Sequence, residues 1–112
     1  MAKSTRSATG NRMKYSKLIR DRIPEIIEGK GEKAVFHIAD DAEYWSKLKE
    51  KLGEEVEEFY ASETVEEMAD ILEIINAICE YKKFNNKEIE FNRKAKADKR
   101  GLFKKRIILE ES

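Results

Sequence analysis

The apolar residues Trp45, Leu48, Leu52, Val56 and Phe59 recur at three- and four-residue intervals between Asp41 and Ser62, the repeat of an amphipathic helix. Asp40 or Asp41 supplies its N-cap. Thr64 caps a second helix, and Glu67 three residues on completes a capping box. Val65, Met68, Ile71, Leu72, Ile74, Ile75, Ile78 and Cys79 give that helix an apolar arc so broad that most of it should be buried, and the pattern runs to about Lys83. Asn85 or Asn86 starts a third long helix, which ends at Gly101 after the basic pair Lys99 and Arg100. Earlier in the chain Ile23, Ile26 and Ile27 form a short helical stripe, with Pro24 tolerated in its first turn and Gly29 and Gly31 ending it. Residues 34–39 contain Val35-Phe36-His37-Ile38, a short strand or extended segment, and the tail from Arg106 to Leu109 reads as extended and apolar. The pattern predicts an all-α fold of three to four helices.

Composition agrees with that class. One proline and five glycines in 112 residues are too few for the turns of an all-β fold. At 41% charged and 40% apolar, the chain has a heavily charged surface around a thin core. Its single cysteine excludes a disulfide framework and a multi-cysteine zinc site, which points to a reducing, cytoplasmic setting. No apolar run approaches the roughly 18 residues of a membrane span. Residues 1–12 are polar and too hydrophilic for a signal peptide, so they are expected to be a disordered leader or an expression-vector remnant before a domain of residues 13–112.

A net charge of zero hides three blocks: residues 1–33 carry a balance of +5, residues 40–80 of −11 and residues 81–112 of +6. The acidic block coincides with the strongest helical periodicity, so the acid lies in the folded centre of the chain. On the first long helix, Glu55 falls about 60° from the middle of the apolar stripe and Glu58 about 120° on the same side, with Glu54 about 160° round. On the second, Glu67 projects into the apolar arc and Asp70 lies about 60° further, at its edge. A helix built only for packing would not place carboxylates there, because an unpaired buried charge is costly. Glu55, Glu58, Glu67 and Asp70 are therefore candidate ligands of a hard cation; magnesium suits an oxygen-only set better than zinc, and manganese can substitute. The same carboxylates are equally suited to salt bridges with Lys47, Lys51, Lys94 or Lys96, and spacing alone does not choose. His37, with no histidine or cysteine partner, is read as structural.

The pattern Glu54-Glu55-x-x-Glu58 followed by Glu67-x-x-Asp70 resembles the EExxE...ExxD signature of the MazG-like all-α nucleoside triphosphate pyrophosphohydrolases. Tyr15-Ser-Lys-Leu-Ile-Arg-Asp-Arg-Ile-Pro-Glu-Ile-Ile27 resembles the opening of a small single-domain branch of predicted house-cleaning phosphohydrolases. Lys96-Ala-x-x-Arg100-Gly101-x-Phe103 and Lys105-Arg106-Ile107 resemble its ending. The likeness covers about residues 13–110, and it makes Met13 the expected start. Two departures stand out: only eight residues separate Glu58 from Glu67, and Leu102 occupies a position where a second glycine is more usual. Neither removes a ligand.

The resemblance implies Mg2+-dependent hydrolysis of a nucleoside triphosphate, canonical or not, between its α and β phosphates to give a monophosphate and pyrophosphate. It implies metal ligation by Glu55, Glu58, Glu67 and Asp70, with Glu54 as the catalytic residue that orients or deprotonates water. Lys96 and Arg100, at i and i+4, would meet phosphate oxygens. Lys17, Arg20 and Arg22 form a second basic set that the resemblance places near substrate. A base could stack on Tyr15, Phe36 or Phe103. The alternatives are a phosphoribosyl-ATP pyrophosphohydrolase with the same chemistry, and a non-catalytic helical dimerisation or regulatory module. Nucleic acid is disfavoured as a partner because the acidic block repels a phosphate backbone. Apolar arcs this broad exceed what one small chain can cover, so a homodimer that completes a helical bundle is expected, with a tetramer as the larger form.

Overall fold

The structure is a computed structural model that describes residues 16–112. The leader expected over residues 1–12, the expected start at Met13 and the stacking candidate Tyr15 lie outside the described residues. Four helices follow in order: α1 (Ile23–Gly29), α2 (Asp41–Ser62), α3 (Val65–Tyr81) and α4 (Asn86–Arg100). No strand occurs among the described residues, and residues 33–40 have no regular secondary structure. No helix among them is long and apolar enough to cross a membrane. The described residues divide into two compact units, one ending at Ile78 and one from Cys79 to Ser112.

Local chemistry accounts for the helix starts. Asp40 adopts an extended backbone and its carboxylate accepts the Glu43 N–H at 2.9 Å. The Thr64 hydroxyl accepts from Glu67 N–H at 3.2 Å. The Asn85 side chain accepts from the N–H groups of Lys87 and Glu88. In each case a side-chain oxygen satisfies a donor that the first helical turn leaves without a partner. Pro24 sits in the first turn of α1, where its missing N–H costs nothing. His37 Nε2 lies 2.9 Å from the Glu43 carboxylate and ties the segment of residues 33–40 to the first turn of α2.

In the first unit α2 and α3 form a helical hairpin. Glu63, in the left-handed conformation at φ 53°, ends α2 by donating its N–H to Phe59 O. Thr64 follows and α3 begins at Val65, so the connection is only two residues long. A turn this short folds α3 back along α2.

Burial is as sparse as the composition predicts, and it falls differently from the periodicity reading. Leu48 and Glu55 are the buried residues among those described; the rest of the expected α2 stripe is half-buried. The expectation that the α3 arc is mostly buried is corrected. Within the first unit, α3 shields a stripe made of Glu67, Asp70, Ile71, Ile74 and Ile78. Val65, Met68, Leu72 and Ile75, spaced i, i+3, i+7 and i+10, remain exposed. The reason is geometric: one helical neighbour covers one flank, whereas the apolar arc spans two. Glu67 and Asp70 thus belong to the shielded side.

In the second unit α4 ends at Gly101, whose φ of 87° suits glycine. The tail beyond it is irregular and exposes Phe103, Ile107, Ile108 and Leu109.

Gly53 stands in the middle of α2, and a Cβ built there would meet nothing within 4 Å. Since glycine inside a helix costs roughly 0.5–1 kcal/mol relative to alanine, Gly53→Ala should stabilise the protein by about that amount in urea denaturation. A destabilised variant would mean that the position is constrained by something other than this helix.

Candidate metal centre

Glu55 lies eight residues before the α2 cap at Glu63, and Glu67 and Asp70 lie four and seven residues after it. The hairpin therefore brings them together. One carboxylate oxygen from each of Glu55, Glu67 and Asp70 lies within 4.8 Å of the others. The Glu55 side chain is only 5% exposed. Its Oε1 and the Oε1 of Glu67 are buried without a hydrogen-bond partner among the described residues. A buried polar oxygen with no donor is an open coordination opportunity or an energetic loss. Three carboxylates whose oxygens converge, with one oxygen of Glu55 and one of Glu67 lacking a donor, are a candidate site for a hard divalent cation.

Electrostatics sharpen the description. Desolvation raises the Glu67 pKa above the ordinary glutamate value; the charges of Glu58, Glu55 and Asp70 add to it, as does a hydrogen bond to Glu55 that only the protonated acid can make. Glu58, the fourth expected ligand, thus acts on Glu67 through its charge, while the tight oxygen cluster comprises Glu55, Glu67 and Asp70.

Glu54 sits in a different environment. It accepts from Lys17 Nζ at 2.9 Å and from Lys51 Nζ at 3.2 Å. Desolvation pushes its pKa upward but is outweighed by these two hydrogen bonds and the charges behind them, so the net direction is downward. Glu54 is held as a carboxylate, suited to orient a water molecule rather than to store a proton. Lys51 also reaches Glu55 Oε2 at 3.3 Å. Desolvation lowers the Lys51 pKa, but the hydrogen bonds and charges of Glu54 and Glu55 outweigh it and the net shift is upward.

Of the basic residues expected near substrate, Lys17, Arg20 and Arg22 lie in the first unit. Arg20 Nη2 donates to Asp70 Oδ1 at 2.8 Å, and Arg22 pairs with Glu25 at 3.0 Å at the start of α1. Lys17 lines a groove of about 400 Å³ with Leu18, Lys47, Lys51, Gly53 and Glu54. Lys96 and Arg100 are exposed on α4, in the second unit. Of the stacking candidates, Phe36 and Phe103 are exposed. Sequence reasoning did not find the Arg20–Asp70 pair: the two residues are fifty positions apart and carry no local signal. The Lys51 contacts were readable in part, because Lys51 precedes Glu54 and Glu55 by three and four positions.

No protein-family model matches the chain, and no solved structure matches it. A protein of Mycolicibacterium smegmatis described as uncharacterized is 47% identical over 49 residues, which is 44% of this chain and 50% of that one. The chain thus spans about half the length of the curated relative it matches.

The raised pKa of Glu67 has a definite sign for stability. Between the ordinary glutamate pKa and the raised value, the folded chain binds more protons at this site than the unfolded chain, so metal-free stability falls as pH rises through that window. Glu67→Gln should flatten this slope and be at least as stable as the native chain above the window. Urea midpoints measured against pH in chelator test it; an identical slope in both proteins would contradict the assignment.

Proposed function

We propose that the protein is a magnesium-dependent hydrolase that cleaves a nucleoside triphosphate between the α and β phosphates, releasing a monophosphate and pyrophosphate. The observation that carries the reading is the convergence of Glu55, Glu67 and Asp70 oxygens within 4.8 Å around buried atoms that lack donors. The resemblance of the surrounding EExxE...ExxD pattern to MazG-like enzymes supports it. Glu55, Glu67 and Asp70 would hold the metal, with Glu58 adjoining them; manganese would serve in place of magnesium. The chemistry that the ion supplies when bound is neutralisation of phosphate charge and activation of water. Glu54, kept ionised by Lys17 and Lys51, accepts a hydrogen bond from the attacking water and fixes its direction. The same resemblance assigns charge-assisted phosphate contacts to Lys96 and Arg100 of α4.

A second reading has its own observation. Lys51 on Glu54 and Glu55, and Arg20 on Asp70, already neutralise part of the cluster, as expected if the acidic seam were purely structural.

The exposed α3 seam of Val65, Met68, Leu72 and Ile75 supports association with a second copy, because heptad-like spacing of this kind is the packing face of helical bundles. Cytoplasmic residence is part of the same proposal and rests on the single cysteine.

A panel of nucleotides, phosphoribosyl-ATP included, incubated with magnesium and scored for pyrophosphate against orthophosphate decides the activity. Pyrophosphate should appear and chelation should abolish it. Stepwise orthophosphate release would refute cleavage at the α–β bond. Glu67→Gln should lower the rate by at least about a hundredfold, the scale of losing one electrostatic contributor at a transition state. Glu57→Gln, exposed on α2, should change it little. A fully active but destabilised Glu67→Gln would favour the structural reading. Sedimentation at micromolar concentration should return at least twice 13.1 kDa, and a clean monomer would refute self-association.

A further inference from the structure

Lys51 occupies an unusual position for a lysine. Its side chain is 14% exposed, and its ammonium lies between Glu54 Oε1 at 3.2 Å and Glu55 Oε2 at 3.3 Å. Glu55 itself is 5% exposed: its Oε2 faces Lys51, its Oε1 is buried with no hydrogen-bond partner among the described residues, and the residue gives one oxygen to the cluster with Glu67 and Asp70. On the far side of the cluster Arg20 holds Asp70 at 2.8 Å, an exposed pair with the arginine side chain 59% accessible. Among the described residues Glu67 has no cationic partner. Three carboxylates therefore face two cations, and one of those cations is sunk in the seam.

A buried carboxylate with no counter-charge would destabilise the hairpin. An ammonium at 3.3 Å offsets that cost. It also competes: an ammonium and a divalent ion draw on the same carboxylate charge and repel each other at this range. We propose that Lys51 is the resident counterion of the carboxylate cluster, holding Glu55 in the metal-free protein and giving it up when a divalent cation binds, so that Lys51 sets the metal concentration at which the site fills. The inference rests on the metal-site reading of the cluster. A Lys51 whose stem merely packed in the seam would leave metal affinity unchanged when neutralised. A Lys51 that positioned Glu55 for the metal would weaken binding when removed. Counterion exchange alone predicts that removing the ammonium tightens binding.

Manganese is the probe. Free Mn2+ in solutions of the full chain is measured by electron paramagnetic resonance for the native protein, Lys51→Met and Lys51→Arg. Lys51→Met should bind Mn2+ about tenfold more tightly, while Lys51→Arg, which keeps the charge, should stay within about threefold of native. Metal-free Lys51→Met should melt below the native protein, and saturating Mn2+ should close most of the gap. Equal or weaker binding by Lys51→Met, in a native protein that does bind, overturns the counterion role and leaves the metal site standing. No binding by any of the three proteins overturns the metal site itself. Should Lys51→Met fail to fold, acetylation of the native chain decides: Lys51 should be protected from acetic anhydride without metal and labelled faster with Mn2+. Labelling that is unchanged or slowed by Mn2+ refutes the exchange.

Discussion

A carboxylate that has been taken out of water must find charge or donors, and Glu55 at the seam of α2 and α3 imposes that requirement on everything around it. It is more deeply buried than any apolar residue of α2 except Leu48. Its neighbours are chosen accordingly: Lys51 one turn earlier neutralises one oxygen, and Glu67 and Asp70 each bring a carboxylate oxygen within 4.8 Å of the group. Packing alone would have selected a leucine at this position, since replacing a buried ion pair by apolar residues is often neutral or stabilising. The seam carries three acids where packing alone would place apolar side chains.

The rest of the first unit delivers those acids to one place. The two-residue turn at Glu63 and Thr64 fixes the register of the hairpin, and the Thr64 cap fixes where the first turn of α3, with Glu67 in it, begins. Lengthening the turn would slide α3 along α2 and separate Glu67 from Glu55. Arg20, from the segment before α1, reaches Asp70 and ties the N-terminal part of the unit to the same cluster. The geometry is thus set by local capping chemistry, while its electrostatic balance depends on residues distant in sequence.

That division explains what could be read from the amino-acid order. Helix starts were legible because Asp40, Thr64 and Asn85 act on donors two or three residues away. The convergence of Glu55, Glu67 and Asp70 was legible because helical phase and a short turn are local quantities that compound predictably. Burial was less so. Hydrophobic periodicity marks Val65, Met68, Leu72 and Ile75 as residues that favour burial, but it cannot say which neighbour buries them, and within one chain they stay exposed. The surroundings of Glu54 were illegible for a related reason: helical phase described its direction and could not reveal Lys17, thirty-seven positions away, bonded to it.

The central claim is that the hairpin holds a divalent cation among Glu55, Glu67 and Asp70. Anomalous diffraction at the manganese absorption edge, from crystals of the full chain soaked in Mn2+, tests it most directly. The account predicts an anomalous peak within bonding distance of oxygens from all three residues, with Lys51 moved off Glu55. Density with no peak in the seam, and Lys51 and Arg20 still paired with Glu55 and Asp70 at saturating Mn2+, would contradict it.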